Sequence, residues 1–459
     1  MKFDPALIRK YDRSGPRYTS YPTANHFTNL FKTEDYLENV SSSNSLVVPR
    51  PLSLYFHIPF CDTLCFYCGC NKVVTKDRNK GVQYLDYLYR EIELQGKLFD
   101  EDRQVVQLHL GGGTPTFLSD EQLEKLLIHI DKHFNLCRSD KREFSIEIDP
   151  RGVDVKRLKH LADIGFNRIS LGVQDFNPDV QKAVHRVQSP ENTLALLAAA
   201  RELGFQSTNV DLIYGLPLQT VETFRETLDR LMAASPDRLS IFNYAHLPQL
   251  FMPQKRIREE DLPSSAEKLA ILKTTIEVLD QYGYEYIGMD HFAKPDDELA
   301  VARIEGTLHR NFQGYSTCAD CDLIGMGVSS ISQIDQCYSQ NHKTLDEYYA
   351  SLERNELPIA RGIVLSVDDL VRRRIIEQIL CYYTVDLDNV LKDFGARNNN
   401  VFNIEWRELR DMEADGLVEL IDGNVIKVTQ AGRFLLRNIC MVFDHYLTNG
   451  EPQAFSKVI

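Results

Sequence analysis

A chain of 459 residues with 43% hydrophobic and 26% charged residues has the apolar content for a large core, and at roughly 150 residues per domain it makes about three domains or one large barrel with attachments. Its 52 Lys and Arg against 66 Asp and Glu leave a net charge of −14, which argues against non-specific nucleic-acid binding while leaving room for a local basic pocket. No run of about 18 apolar residues occurs and Met1-Lys2-Phe3-Asp4-Pro5 lacks an apolar signal core, so neither a membrane span nor secretion is expected.

Residues 1–50 are polar and aromatic with little apolar periodicity. Gly15-Pro16-Arg17-Tyr18-Thr19-Ser20-Tyr21-Pro22 reads as an ordered loop, and Ser41-Ser42-Ser43-Asn44-Ser45 as a linker. From 51 to about 245, short apolar or β-branched runs alternate with helix-period segments. The runs are 52–58, 105–110, 144–148, 168–173, 207–214 and 238–244; the helical patterns are 83–98, 121–134, 157–164, 193–203 and 221–234. Six strand-then-helix units predict an α/β fold with a parallel sheet and outer helices, either open or curled into a barrel. Residues 246–360 read as helices mixed with long loops. Residues 361–459 read as a separate, mainly helical module. It holds a hairpin, 417–421 and 425–429 around Asp422-Gly423-Asn424, between two helices, which suggests a winged-helix-like unit. The predicted boundaries are therefore 1–50, 51–360 and 361–459.

Polar residues gather at the C-terminal end of each predicted strand, where parallel barrels carry their active sites. They are Pro59-Phe60-Cys61, Gly111-Gly112-Gly113-Thr114, Glu147-Ile148-Asp149-Pro150, Gln174-Asp175, Asp211 ahead of Gly215-Leu216-Pro217, and Asn243-Tyr244-Ala245-His246.

Four of the ten cysteines fall between 61 and 70. Ten is too few for a disulfide scaffold, so this cluster points to a metal or redox site in a reducing compartment. Cys61, Cys65 and Cys68 form C-x3-C-x2-C. Thiolates suit iron–sulfur clusters and zinc, and three of them leave one iron of a cubane open to a cofactor or substrate. Structural zinc prefers paired C-x2-C knuckles, and Cys70 crowds Cys68 too closely to be a comfortable fourth ligand. A chance cluster would occupy apolar packing positions, whereas this one lies on a strand end and loop.

Consecutive glycines at 111–113 let backbone approach a ligand, although alone they often make only a tight turn. Glu147 lies between apolar residues and needs a partner, unless it is simply a solvated rim carboxylate. Gln174, Arg186 and Asp211 each have an ordinary reading as a surface charge or turn residue. Together they are candidates for a second small-molecule site. Cys318, Cys321 and Cys337 read as unliganded thiols, and Cys381, Cys440 and Trp406 as packing.

C-x3-C-x2-C with an aromatic before the third cysteine resembles the radical S-adenosylmethionine superfamily. The resemblance implies a [4Fe-4S] cluster on Cys61, Cys65 and Cys68, with S-adenosylmethionine on the open iron. Longer stretches resemble the oxygen-independent coproporphyrinogen III oxidase (dehydrogenase) family within it. These are residues 15–22, Cys68-Gly69-Cys70, 211–217, Asn243-Tyr244-Ala245-His246-Leu247-Pro248, Gly288-Met289-Asp290-His291-Phe292, 308–315, 325–329 and Phe455-Ser456-Lys457-Val458-Ile459, so essentially the whole chain is covered.

The family implies a partial (β/α)6 TIM-like barrel, an N-terminal segment over the active site, and the helical C-terminal domain. It implies an oxidoreductase of haem biosynthesis that turns two propionates of coproporphyrinogen III into vinyl groups without O2, giving protoporphyrinogen IX by way of a 5′-deoxyadenosyl radical. Two S-adenosylmethionine molecules are implied. The first maps to Tyr55, Gly112, Glu147 and Ile331. The second maps to Tyr67, Gly113, Thr114, Gln174, Arg186, Asp211 and Ala245. The family often has Phe where Tyr67 stands, which keeps a stacking face and adds a hydroxyl. Cys70 matches a cysteine that does not ligate the cluster and is a candidate for a role in turnover. Arg17, Lys294 and Arg310 are candidates for propionate contacts, with ordinary ion pairs as the alternative. A flavodoxin- or ferredoxin-class reductant, a monomer and a cytoplasmic location are implied as well. A non-enzymatic haem chaperone of the same superfamily is the competing reading. That group is shorter, and lacks both the 15–22 segment and the cysteine two residues after the third ligand.

Overall fold

The computed structural model describes residues 5–318, 321–395 and 402–449. The six expected strands form and lie side by side in parallel: β1 (Leu52–Ile58), β2 (Gln104–Gly112), β3 (Glu143–Ile148), β4 (Arg168–Gln174), β5 (Ser207–Tyr214) and β6 (Arg238–Asn243). The returning helices are α1 (Asn79–Gly96), α2 (Asp120–His133), α3 (Val155–Asp163), α4 (Pro190–Glu202) and α5 (Val221–Ala234). Local chemistry starts them: Ser119, Asp154, Ser189 and Thr220 each accept a backbone N–H from the first turn, and Pro190 sits where no N–H is needed.

Period-two alternation sets the inside and outside of the sheet. Leu52, Leu54, Phe56 and Ile58 of β1 are fully buried in the core shared with Leu85, Leu88 and Ile92 of α1. Ser53, Tyr55 and His57 point the other way. Ser53 donates to Gln107 Oε1 (2.6 Å), and Tyr55 stacks on His109 with ring centroids 5.8 Å apart. The strand order runs from one edge to the other without closing, as in a partial barrel.

The edges depart from expectation. Residues 285–364 contribute β7 (Glu285–Gly288), β8 (His291–Ala293), β9 (Asp322–Met326), β10 (Ile331–Ile334), β11 (Cys337–Asn341) and β12 (Ile359–Val364) to the same sheet. β9 is a further parallel strand, pairing with β1 so that Gly325 faces Tyr55. β10 to β12 extend that edge in antiparallel fashion, and β8 and β7 extend the other beyond β6. These strands are three to six residues long and hide among polar residues, so no run of apolar residues announces them.

The serine-rich stretch is also not a linker. Thr33–Asn44 is an α-helix whose Tyr36, Val40 and Ser43 are buried. Tyr36 donates to Gln95 Oε1 (2.9 Å) on α1, and the Ser43 hydroxyl donates to the buried Asp322. Serines can lie on a helix when their partners are supplied by the tertiary fold.

The C-terminal part has the expected winged-helix-like pattern. Helix Val367–Tyr382 is followed by strands Thr384–Asp386, Val418–Ile421 and Val425–Val428, with the last central, and by helices Asn403–Ala414 and Leu436–Val442. Its core takes in Tyr18 and Tyr21. Arg437 donates to the carbonyls of Gly15 and Pro16, and Tyr18 donates to Asp444 Oδ2 (2.8 Å). Among the described residues no helix is long and apolar enough to cross a membrane. Ala319, Asp320 and the motif at 455–459 lie outside the described residues.

Candidate active site

One cavity of about 570 Å³ opens at the C-terminal ends of the parallel strands. Cys61, Cys65, Cys68, Cys70, Tyr67, Gly112, Gly113, Thr114, Glu147, Gln174, Arg186 and Asp211 all line it. Residues spread over 150 positions of sequence meet there because every strand ends at the same rim.

The cysteine loop leaves β1 through Pro59 and a short pairing of Phe60–Cys61 with Val73–Val74. All ten cysteines are free. Donors converge on the sulfurs: Thr114 Oγ1 lies 3.5 Å from Cys61 Sγ, Arg186 Nη1 3.4 Å and Arg151 Nη2 3.7 Å from Cys65 Sγ. Burial pushes the Cys61 thiol up to about 11. A hydrogen bond with Cys70, aided by Lys72, pulls Cys68 down to about 6 against its burial, and the same contact pushes Cys70 up.

The glycine loop needs its glycines. Gly112 has φ +115°, and a Cβ there would lie 2.7 Å from the His57 ring; at Gly113 it would lie 2.6 Å from Pro59 O. Gly112 N–H donates to Glu147 Oε2 (3.1 Å). His109 Nε2 lies 3.4 Å from the other Glu147 oxygen and its Nδ1 2.5 Å from Ser145 Oγ.

Across the cavity, Arg186 is held by Asp149 Oδ2 (3.1 Å) and Gly172 O (2.6 Å), with Arg151 on the same carboxylate. Burial alone would raise Asp149, but Arg186 and Arg151 hold it below the usual carboxylate range. Asp211 accepts from Ser170 Oγ and Asn209 Nδ2, each at 2.9 Å, and burial raises it to about 6, with Glu147 adding to the rise.

Three predicted residues lie outside this wall. Tyr55 lies deeper in the barrel, its hydroxyl 3.1 Å from His57 Nδ1. Ala245 follows β6 and accepts Gln254 Nε2 (3.2 Å). Ile331 is on β10, and its main chain packs on Gly325 so closely that no Cβ would fit there. The three candidate cations separate. Arg17 donates to Asn243 O (3.1 Å), 5.9 Å over the Phe242 ring that lines the cavity, with Asp290 3.9 Å away. Arg310 lines a second cavity of about 260 Å³, beside Tyr18 and Arg373. It packs over Tyr315 and leaves Nη1 buried without a partner. Lys294 is a correction. It bonds Ser235 O (2.9 Å) and Asp237 (3.2 Å) ahead of β6, at the rim opposite the cysteines, so it is removed from the substrate candidates.

Sequence reasoning looked at strand ends and missed the barrel lining. His57, His109, Ser145, Ser170, Asn209 and Ser240 occupy the inward alternate positions of β1 to β6, linked by Asn209 Nδ2 to Ser170 Oγ (2.9 Å) and Ser240 Oγ to Asn209 Oδ1 (3.2 Å). Polar residues at period two in strands of a parallel sheet were the available signal, since such strands are otherwise continuously apolar. Arg151 was missed as well.

The donor set fits the implied groups. Three thiols on one loop, with cationic donors aimed at them, suit an anionic iron–sulfur cluster. Arg186, on the cavity wall, has its Nε buried without a partner. An orphaned polar atom beside a cavity calls for a polar ligand.

The radical SAM superfamily profile matches residues 55–231. The chain is 50% identical over 459 residues to the oxygen-independent coproporphyrinogen III oxidase of Pseudomonas aeruginosa, covering 100% of this chain and 99% of that protein. It is 50% identical over 458 residues to the enzyme of the same name from Escherichia coli, covering 100% and 98%. The solved structure of coproporphyrinogen III oxidase from Escherichia coli, described as a radical SAM enzyme, superposes with a TM-score of 0.92 at 49% identity, covering 97% of this chain and 99% of that one.

Proposed function

The chain belongs to the oxygen-independent coproporphyrinogen III oxidase family of radical SAM enzymes, and on that premise we propose how its own residues carry the reaction. The activity is oxidative decarboxylation of two propionate side chains of coproporphyrinogen III to vinyl groups. The observation that carries the reading is the single cavity in which Cys61, Cys65 and Cys68 face the glycine loop, Glu147, Arg186 and Asp211.

Cys61, Cys65 and Cys68 hold the [4Fe-4S] cluster, and Cys70 stays off it as a positioning thiol beside Cys68. When bound, the cluster and S-adenosylmethionine supply the radical that takes a hydrogen from the propionate β-carbon. The chain binds and orients. Tyr55, Gly112, Glu147 and Ile331 take the first S-adenosylmethionine. Glu147 is supported in this role because Gly112 N–H and His109 already fix its carboxylate. Tyr67, Gly113, Thr114, Gln174, Arg186, Asp211 and Ala245 take a second molecule. Arg186 is immobilised by Asp149 before any ligand arrives, so little ordering remains to be done on binding.

Arg17, packed over the Phe242 ring of the cavity wall, and Arg310, on the second cavity, are the cations for substrate carboxylates. Residues 15–22 bridge the C-terminal part and the end of β6. They act as the cover that keeps water from the reacting carbon. A flavodoxin- or ferredoxin-class protein supplies electrons, and the enzyme works as a cytoplasmic monomer; ten free cysteines agree with a reducing compartment.

The test is an anaerobic incubation of the cluster-loaded protein with coproporphyrinogen III, reductant and S-adenosylmethionine. Vinyl product and 5′-deoxyadenosine are expected together. S-adenosylmethionine left uncleaved, with stable stoichiometric haem binding, overturns the reading.

A further inference from the structure

Glu93, His129 and His133 meet far from the cysteine cavity. His129 and His133 are one turn apart on α2, and Glu93 is in the last turn of α1. Both helices return from the C-terminal to the N-terminal rim of the sheet, so their last turns are neighbours at the rim opposite the cysteines. Gly96 permits the contact: a Cβ there would lie 2.7 Å from His133 O.

One ligand atom from each of the three lies within 4.8 Å of the others. His129 Nε2 is 3.6 Å from Glu93 Oε1, and the two imidazole centroids are 4.8 Å apart. His133 Nε2 is shielded from solvent and has no hydrogen-bond partner. A simple His129–Glu93 ion pair leaves that nitrogen unexplained, and buried polar atoms without partners are rare.

We propose that Glu93, His129 and His133 form a site for a divalent cation of the zinc class that clips α1 to α2. Two imidazoles and a carboxylate suit zinc and its neighbours rather than magnesium or calcium. Tetrahedral zinc with bonds of about 2.0–2.2 Å separates its ligands by about 3.3 Å, so closure needs only side-chain rotations of about 1 Å. His129 Nε2 gives up a long contact with Tyr89 O (3.3 Å). Two helix C-termini, with their outward carbonyls, favour a cation there. Lys132 and Lys97 lie nearby and oppose a dication, while Glu93 supplies a countercharge. Water completes the coordination. The site is independent of the radical chemistry.

The test titrates zinc chloride into chelator-washed, cluster-loaded protein by calorimetry under anaerobic conditions, comparing wild type with His133→Ala and Glu93→Gln. Comparison is needed because free thiols elsewhere also take zinc. Wild type is expected to bind one zinc more than His133→Ala, and zinc is expected to raise the melting temperature of wild type alone. Loss of an outer-shell partner already costs about 10–100-fold in affinity, so Glu93→Gln is expected to weaken this site at least tenfold. His129→Gln replaces His133→Ala if the latter does not fold. Equal zinc stoichiometry and affinity in wild type and the folded variants overturns the site.

Discussion

Replacing Gly112 by alanine tests whether the glycine loop is shaped by its neighbours. The new Cβ would lie 2.7 Å from both Nδ1 and Cε1 of His57, and Gly112 has φ +115°. The imidazole cannot swing aside freely, because Nε2 is 2.9 Å from Asn71 O and Nδ1 is 3.1 Å from the Tyr55 hydroxyl. The backbone strain costs about 1–3 kcal/mol and the overpacking about another 1–3 kcal/mol, or roughly 2–6 kcal/mol together. With an unfolding entropy of about 2.1 cal/mol/K per residue, cooperative unfolding of a chain this size would lose about 2–6 °C in Tm. Relief by moving the loop would break the Gly112 N–H bond to Glu147 and lower S-adenosylmethionine affinity. Differential scanning calorimetry and equilibrium dialysis on cluster-loaded protein read the two effects. The double variant His57→Ala/Gly112→Ala removes the collision but not the strain, so the cycle should show a coupling of about 1–3 kcal/mol. Wild-type Tm and wild-type affinity in Gly112→Ala would refute the reasoning.

Cys61→Ala, Cys65→Ala and Cys68→Ala should each lose the brown absorption and bound iron, whereas Cys70→Ser should keep both with impaired turnover; iron and sulfide analysis decides. Asp211 is raised from 3.8 to about 6 in the fold, so its contribution is present below about pH 4 and is lost as pH rises through 6. Asp211→Asn should therefore flatten the pH dependence of stability over that window, by up to about 3 kcal/mol, in denaturant melts of ligand-free protein. Arg103 pairs with Asp322 at 2.6 Å with both side chains 1% exposed. Arg103→Ala strands that carboxylate, and should cost about 3–5 kcal/mol in the same melts; a loss below about 1 kcal/mol would show that Ser43 and Arg50 suffice.

The alternating strand–helix pattern placed β1 and β5 to the residue, because apolar residues at every second position, such as Leu52, Leu54, Phe56 and Ile58, admit only one burial pattern. The cysteine spacing and the glycine loop were legible because each is local, whereas the partners of Glu147, Gly112 and His109, lie 35 and 38 positions away along the chain. The strands of 285–364 were not legible, nor was the helix at 33–44. Their partners lie far along the chain, as with Ser43 and Asp322. Lys294 was misplaced on the same grounds. Charge says that a lysine binds anions, but only its contacts with Ser235 and Asp237 say at which rim it sits.

Sequence alone thus determined the class of sheet and the C-x3-C-x2-C loop, and its family resemblance implied the chemistry. Periodicity and ligand spacing are properties of neighbouring residues. Tertiary structure decided which side chains share a cavity: that Arg186 and Arg151 aim at Cys65, that Asp211 sits raised among serine and asparagine, and that His57 forbids a side chain at position 112. Those facts arise where parallel strands end at one rim, and distance along the chain carries no record of that convergence.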